Sequence, residues 1–188
     1  FHDPMCGSGT VVIEAALIAY NIPVNIFRQQ FGFQSWKDFD EVLWEKIIET
    51  SLNKEKNYIG KITGSDNFQK AVRISRDNID NALMYDNIKI TNTDFFEKEI
   101  NPETFVIFNP PYGERMPIEA DNFYDKIGTT LKHNYEGCTV WLISSDIENM
   151  KFIGLRPDKK IKLMNGDLEC SFRKYQVYKG SKKKKLSQ

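Results

Sequence analysis

The order of apolar and polar positions along the chain predicts strands and helices in alternation. Apolar residues at helical spacing mark one segment after residue 10, a second after Asp40, a third from Phe68 to about Asp86 and a fourth around residues 123–131. Short runs rich in β-branched and aromatic residues mark strands at residues 58–65, 88–91, 105–108 and 138–143. Strands separated by helical segments indicate βα units and therefore a mostly parallel sheet.

The two ends of the chain depart from this alternation. Near the C-terminus, extended runs at residues 160–164 and 168–178 flank Asn165-Gly166, and Asn-Gly in such a position is the strongest short-range signal for a β-hairpin. At the N-terminus the chain begins Phe-His-Asp-Pro, without a methionine, so that only the last one or two residues of a first strand are present. We therefore expect the chain to be a fragment of a longer protein.

Composition narrows the class of protein. The chain has 188 residues, 40% of them hydrophobic, which suits one domain with a full core. Its 26 basic and 26 acidic residues cancel, so any affinity for a polyanion must come from a local patch or from another domain. Three widely spaced cysteines and two histidines predict neither a zinc site nor a disulfide framework. No signal peptide or run of 18 apolar residues is present, so we expect a soluble, cytoplasmic chain without a membrane span.

A stiff turn follows the apolar run at residues 105–108. Asn109 precedes Pro110 and Pro111, and each proline disfavours the helical conformation for the residue before it. The turn therefore holds the amide of Asn109, the carbonyl of Pro110 and the ring of Tyr112 together beyond the end of a strand. Open α/β sheets bind ligands at the carboxyl ends of their strands, which makes this turn a candidate site. The alternative is a proline-terminated strand followed by a core tyrosine.

Residues 3–10, Asp-Pro-Met-Cys-Gly-Ser-Gly-Thr, form a glycine-rich turn that leads into an apolar helix. Gly7 and Gly9 let the backbone approach a ligand closely, and the helix start offers free N–H groups. A P-loop would need G-K-S or G-K-T after the glycines, and Val12 stands where a dinucleotide fingerprint has its third glycine. The turn therefore fits neither of these motifs, and a strand-to-helix turn without a ligand is the alternative.

Two aspartates follow predicted strands. Asp66 closes the second strand, where nucleotide-binding α/β folds hold ribose hydroxyls, and Asp94 follows the third. The spacing from Asp3 to Asp66 exceeds the usual ~20 residues, and an aromatic, partly helical insertion at about residues 21–57 explains the surplus. That insertion is either a lid or RNA-facing surface, or a cover for an exposed sheet edge. The alternative role for both aspartates is that of a helix cap or turn residue.

These motifs resemble those of one family. Residues 3–10 look like motif I of class I methyltransferases, and Asn109–Tyr112 looks like the Asn/Asp-Pro-Pro-Tyr/Phe motif of enzymes that methylate exocyclic nitrogens with S-adenosylmethionine. The longer stretches at residues 109–115 and 165–170, Asn-Pro-Pro-Tyr-Gly-Glu-Arg and Asn-Gly-Asp-Leu-Glu-Cys, are similar to THUMP-associated RNA methyltransferases. Bacterial enzymes of this kind make N2-methylguanosine in large-subunit ribosomal RNA. Because Asn rather than Asp heads the tetrapeptide, the motif leaves guanine and adenine both open.

The resemblance implies a Rossmann-like α/β fold whose seven-stranded sheet has the order 3-2-1-4-5-7-6 and ends in an antiparallel hairpin. It also implies S-adenosylmethionine as cofactor, no metal, ribosomal RNA as substrate and an N-terminal THUMP domain in the whole protein. Cofactor-binding residues would be Asp3, Met5, Cys6, Gly7, Ser8, Gly9, Asp66, Asn67, Asp94, Phe95 and Asn109. Catalytic residues would be Asn109, Pro110, Pro111 and Tyr112.

The same resemblance implies the role of each group. Asp66 would hold the ribose, Asp94 the adenine amine, and Phe95 would form an apolar wall beside the adenine. Asn109 Oδ1 and the Pro110 carbonyl would accept the two hydrogens of the target amine. Tyr112 would stack on the base.

Three rival functions stay open. A DNA adenine-N6 methyltransferase or a protein-glutamine N-methyltransferase shares the tetrapeptide, and a degenerate, non-catalytic RNA-binding scaffold would share the fold. We expect a catalytic domain at residues 1–180 and a basic tail at 181–188, which includes four consecutive lysines. That tail is expected to be solvated, and a phosphate-contacting arm is the alternative.

Overall fold

The computed structural model describes residues 1–25, 28–111 and 120–178. The strands are β1 (His2–Asp3), β2 (Ile62–Asp66), β3 (Ile88–Asn92), β4 (Phe105–Phe108), β5 (Thr139–Ser144), β6 (Lys159–Asn165) and β7 (Leu168–Gln176). The helices are α1 (Thr10–Tyr20), α2 (Glu41–Leu52), α3 (Gln69–Asn81) and α4 (Ala120–Asn134), with short 3-10 helices at Gly32–Ser35 and Asn149–Ile153.

All seven strands form one sheet in the order β3-β2-β1-β4-β5-β7-β6. Strands β1 to β5 pair in parallel, whereas β7 is antiparallel to β5 and β6 is antiparallel to β7. The order and the terminal hairpin are those implied by the family resemblance, and both predictions are confirmed. Because β1 to β5 run in one direction, their carboxyl ends meet at one edge of the sheet.

Two groups of buried residues form the core. One includes Val12 of α1 with Val72 and Ile79 of α3, whose spacing gives α3 a single apolar face. The other includes Phe108 of β4 and Leu131 of α4, both fully buried. Within the ranges described above, no helix is long and apolar enough to cross a membrane.

Three predicted boundaries were wrong, and the smallest error is at β7, which ends at Gln176 rather than residue 178. Strand β2 begins at Ile62 rather than residue 58, because Ile59 is fully exposed and the ring of Tyr58 contacts Tyr20 at the end of α1. Helix α3 ends at Asn81 rather than near residue 86. The chain turns at Leu83, whose φ of 54° lies in the left-handed region.

The insertion includes α2, which begins where Asp40 accepts a hydrogen bond from the Leu43 amide at 2.9 Å, as the predicted start near Asp40 requires. No residue of α2 is buried. The two ends of the insertion meet where Lys56 N donates to Tyr20 O at 2.9 Å. Since α1 leads away from the carboxyl-end edge for 11 residues, about 16 Å, the insertion leaves and rejoins the fold near the opposite edge.

Candidate active site

The glycine-rich turn is attached to the end of β2. Cys6 N donates to Ser65 O at 2.9 Å, and Gly9 N donates back to Cys6 O at 2.8 Å. Gly7 and Gly9 have φ values of 53° and 84°, a conformation that costs an L-residue energy but suits glycine. Helix α1 begins directly behind Gly9, so its first N–H groups lie beside the turn.

Asp66 is held in place by two backbone amides. Its Oδ2 accepts from Gly7 N at 3.0 Å, and its Oδ1 accepts from Phe68 N at 2.9 Å. A Cβ added to Gly7 would meet no heavy atom within 4 Å, so this part of the turn faces open space. The structure thus brings the glycine-rich turn and the carboxylate of Asp66 together at one edge of the sheet.

Asp94 joins the same group. Asn67 Nδ2 donates to its Oδ2 at 3.2 Å, and Phe96 N donates to its Oδ1 at 2.8 Å. The exits of β2 and β3 are also tied together, because Thr93 N donates to Asp66 O at 3.1 Å. Asp66, Asn67 and Asp94 therefore form a linked polar cluster at the carboxyl ends of two neighbouring strands.

Phe95 lies deeper than its predicted role suggests. Only 2% of it is exposed, and its ring packs against Phe108 and Tyr135 with centroids 5.3 and 5.2 Å away. Phe96, whose ring lies 5.1 Å from that of Phe95, is only partly buried. Phe96 is thus the ring of this pair that retains exposed surface.

The Asn-Pro-Pro turn follows β4, which pairs with β1 through Val106 and His2. It therefore lies at the strand exit next to the glycine-rich turn. Asn109 is exposed and Pro110 is buried, so Asn109 is accessible at the end of β4 while the residue after it is packed into the fold. Tyr112 lies outside the described residues, and so do residues 181–188 of the predicted tail.

Asp3 is the most deeply buried carboxylate of the group, with 2% of the residue exposed. Its Oδ1 accepts a hydrogen bond from Met5 N at 3.1 Å. Burial, together with the smaller effect of the nearby charge of Asp66, raises the pKa of Asp3 from 3.8 to about 7, although the hydrogen bond from Met5 N opposes the shift. A cation placed beside this carboxyl would favour its ionised form.

Two neighbours of Asp3 are electrically neutral. Burial, and secondarily the charge of Lys98, lowers the pKa of His2 to about 3, while Nδ1 of that ring lies 2.8 Å from Thr63 Oγ1. Burial also raises the pKa of the Cys6 thiol to about 12, which excludes a thiolate nucleophile at neutral pH.

Two residues that support the turn were not predicted. Asn78 Nδ2 donates to Ser8 O at 2.9 Å. A Cβ on Gly9 would lie 3.0 Å from Ser75 Cβ, so this glycine is needed for close contact with α3. The only sign of this contact in the sequence is that Ser75, a small polar residue, stands among the apolar residues Val72 and Ile79 on one face of α3.

A cleft of about 630 Å³ lies at the opposite edge of the sheet. It is lined by the first residues of β2 and β3, Ile62 and Ile88, and by residues before them such as Lys61 and Asp86. None of the sequence-predicted site residues lines this cleft, so its size does not identify it as the site of the chemistry.

Among the described residues, no group of three or more His, Cys, Asp or Glu could hold a metal ion.

Comparisons with known proteins agree with this geometry. The sequence profile of the family described as "RMKL-like, methyltransferase domain" matches residues 1–174. The chain is 36% identical over 193 residues to the ribosomal RNA large subunit methyltransferase K/L of Shewanella amazonensis. That alignment takes in 98% of this chain and 27% of the relative, so the chain spans about a quarter of the length of the curated relatives it matches.

Solved structures give the same result. The chain is 29% identical to SMU.472, described as a methyltransferase in complex with S-adenosylhomocysteine (SAH), with a TM-score of 0.83 over 96% of this chain and 48% of that one. It is 31% identical to a protein of Clostridium difficile 630 described as a possible methylase, with a TM-score of 0.84 over the same shares of the two chains. Both likenesses extend over nearly all of this chain and about half of the other protein.

Proposed function

Because the chain belongs to the family of RMKL-like methyltransferase domains, we propose that it transfers a methyl group from S-adenosylmethionine to an exocyclic nitrogen of a base in RNA. The acceptor we propose is N2 of a guanine in large-subunit ribosomal RNA, and a cytoplasmic location follows from that substrate. Support comes from the identity with a relative named for large-subunit ribosomal RNA. The observation that carries the proposal is the convergence of Gly7, Asp66, Asp94 and Asn109 at one edge of the sheet.

The residues at this edge suit S-adenosylmethionine. Gly7 faces open space, so the backbone of the turn can be approached closely. Asp66 and Asp94 carry acceptor oxygens suited to the ribose hydroxyls and the adenine amine. Asp3 is a buried carboxyl that an ammonium group would stabilise in its ionised form. These are the roles proposed for the three aspartates, and Met5, Cys6, Ser8, Gly9 and Asn67 would complete the wall of the site. Phe95 would support that wall from beneath, through its contact with Phe96.

Asn109 and Pro110 would position the acceptor. S-adenosylmethionine, when bound, supplies a methyl group already activated by a sulfonium. The remaining difficulty is the acceptor amine, whose lone pair is delocalised into the base. Asn109 Oδ1 and the Pro110 carbonyl can accept its two hydrogens, orient the nitrogen and keep electron density on it. Positioning of this kind is worth about 7–11 kcal/mol of a barrier.

The proposed role of Tyr112 rests on the sequence, since this residue lies outside the described ranges. A tyrosine at the end of the tetrapeptide would stack on the target base, an interaction worth about 1–3 kcal/mol. Pro111 would keep the turn stiff between Asn109 and Tyr112.

We also propose that RNA affinity comes in part from outside this chain. The chain carries as many acidic as basic residues, and its relatives are about four times longer. An N-terminal THUMP domain in the whole protein would supply the missing affinity, while residues 1–180 perform the chemistry. On this proposal, the chain alone binds ribosomal RNA more weakly than the full-length protein at the same salt concentration.

The test combines binding with product analysis. The full-length protein is titrated calorimetrically with SAH and with NAD, and is then incubated with S-adenosylmethionine and unmethylated large-subunit ribosomal RNA. We expect SAH to bind more tightly than NAD, and mass spectrometry of the digested RNA to show N2-methylguanosine. Parallel incubations with duplex DNA and with a protein extract should give no product. N6-methyladenine in the DNA, methylated glutamine, or SAH binding without any product would each favour one of the rival functions instead.

A further inference from the structure

The β6–β7 hairpin extends beyond the rest of the sheet. Strand β5 ends at Ser144, which pairs with Ser171 of β7, and Ser171 pairs in turn with Lys162 of β6. Pairing between β6 and β7 continues for three more residues, to Asn165 and Leu168. At about 3.4 Å per residue, the end of the hairpin projects about 10 Å past β5. Because β6 runs in the direction of β5, the projection lies at the carboxyl-end edge, where Asn109 also lies.

The projecting end exposes apolar side chains. Met164 is 61% exposed and Leu168 is 51% exposed, although both belong to well-paired strands. The turn between the strands is tight, with Gly166 at a φ of 60° and no heavy atom within 4 Å of where its Cβ would lie. Because Met164 pairs with Glu169 and Leu168 pairs with Asn165, the hairpin end exposes one apolar side chain on each of its two faces.

The hairpin also carries a net positive charge within a neutral chain. Residues 159–176 include five basic and two acidic residues, an excess of three positive charges, while the whole chain has none. Lys159, Lys160 and Lys162 are all exposed on β6, the outermost strand. The ion pair of Lys162 with Glu169 is well exposed to solvent and therefore weak, so it leaves this lysine available for other contacts. Lys160 and Lys162 lie on the same face as Met164, and Lys159 lies on the face of Leu168, so each apolar side chain has at least one lysine on its own face. Exposed lysines suit the phosphates of a nucleic-acid strand.

Protection of the sheet edge does not explain this combination. Lysines on an edge strand do prevent edge-to-edge aggregation. Exposed Met164 and Leu168 at the same edge would work against that protection. Some proteins that bind the minor groove of DNA insert leucine or methionine side chains between bases as apolar wedges, and an apolar tip flanked by lysines has the same chemistry.

The sheet order sets the distance between this tip and the turn that holds Asn109. Strands β4 and β6 are three spacings apart, which is about 14 Å at the usual spacing between strands. A stacked strand advances about 3.4 Å per nucleotide, so about four nucleotides span that gap. We infer that the projecting end of the hairpin contacts substrate RNA about four nucleotides from the methylated one, with Met164 and Leu168 against bases and the β6 lysines against phosphates. This inference rests on the proposed function.

Two variants of the full-length protein test it. The first is Met164→Ala/Leu168→Ala, and the second replaces Lys159, Lys160 and Lys162 by Gln. Affinity for unmethylated large-subunit ribosomal RNA is measured at several salt concentrations, and SAH affinity is measured in parallel. We expect each variant to bind RNA about tenfold more weakly with unchanged SAH affinity. The lysine variant should also lose about one unit of salt slope for each phosphate contact removed.

Matched controls come from the insertion, whose ends lie at the opposite edge. Val42→Ala/Leu43→Ala removes side chains that are 76% and 54% exposed, and a triple Gln variant at Lys46, Lys54 and Lys56 removes three exposed lysines. Both controls should bind RNA as the wild type does. Hairpin variants that match their controls, while the wild type still methylates RNA, would overturn the inference and leave the proposed function standing.

The remaining outcomes are also decisive. A wild type that binds SAH but no RNA would overturn both the inference and the proposed function. An effect of the lysine variant alone would overturn the role of the apolar tip. Alanine variants of the tip that bind RNA normally but change the sedimentation of the protein would assign the tip to a protein interface and overturn the inference.

Discussion

The backbone N–H of Gly7 donates a hydrogen bond to Oδ2 of Asp66 at 3.0 Å, and this bond joins the glycine-rich turn after β1 to the end of β2. The other carboxylate oxygen accepts from Phe68 N. Both oxygens are therefore oriented before any ligand is present. Asp66 therefore has a structural role in addition to the ligand contact proposed for it, and the two roles can be separated experimentally.

Replacing Asp66 should weaken cofactor binding. Asp66→Ala removes a charged acceptor, a loss of about 1.5–3 kcal/mol, which corresponds to about 10- to 150-fold in the dissociation constant of SAH. Asp66→Asn keeps one acceptor oxygen and should lose less. Calorimetric titration measures the affinity for SAH, and thermal unfolding measures the stability that is lost with the hydrogen bonds of Asp66 to the backbone. Asp86→Ala, at the cleft on the opposite edge, is the control and should bind normally. Unchanged SAH affinity in Asp66→Ala would refute the ligand role.

The two glycines of the turn should differ in their tolerance of a side chain. Gly7→Ala adds a methyl group in open space and has only its positive φ to overcome, a cost of about 1–2 kcal/mol. Gly9→Ala has a positive φ as well and also brings a Cβ to 3.0 Å from that of Ser75. Overpacking should add about 1–3 kcal/mol. Chemical denaturation measures the free energy of unfolding of both variants. In the double variant Gly9→Ala/Ser75→Gly, the Cβ of Ser75 is removed, so the part of the cost that is due to overpacking should disappear. Equal costs for the two single variants would contradict this reading.

The sequence was sufficient for the sheet and for the strand exits that matter. The hairpin followed from Asn165-Gly166, and the strand order followed from the family resemblance once the motifs were read in sequence. Where prediction failed, tertiary contacts overrode local pattern. Tyr58 and Ile59 are residue types that favour strands, but Tyr58 packs on Tyr20 instead of entering the sheet.

Side-chain environments were not predictable in the same way. Nothing in the sequence distinguishes the buried ring of Phe95 from the half-buried ring of Phe96, because adjacent aromatics after a strand can point either way. The contact of Asn78 with Ser8 joins residues far apart in the chain, and helical periodicity does not identify which polar residue of α3 faces the turn. The raised pKa of Asp3 depends on burial, which exists only in the folded state.

That pKa predicts how stability depends on pH. The folded protein keeps the proton of Asp3 up to about pH 7, whereas the unfolded chain loses it near 3.8. Between these two pH values the folded protein therefore binds more protons than the unfolded chain. The contribution of Asp3 to stability falls as the pH rises, and the equilibrium constant for unfolding increases by up to tenfold per pH unit. Relative to Asp3→Asn, the free energy of unfolding of the wild type should fall as the pH rises from about 4 to about 7. Above about pH 7 the difference between the two proteins should stay constant. A constant difference across the window would show that Asp3 is ionised in the folded protein.

The last prediction separates positioning from binding at Asn109. Its amide is exposed at the exit of β4, beyond the turn that is proposed to hold the cofactor. Asn109→Ala should therefore leave SAH affinity within about twofold of the wild type. It should slow single-turnover methylation of ribosomal RNA by about 10²- to 10³-fold, the usual loss when one hydrogen-bonding group that stabilises a transition state is removed. Asn109→Asp keeps an acceptor oxygen at the same place and should retain more activity than the alanine variant. If Asn109→Ala turned over at a near-normal rate, the turn would be a structural device, and the non-catalytic scaffold would become the better explanation of the chain.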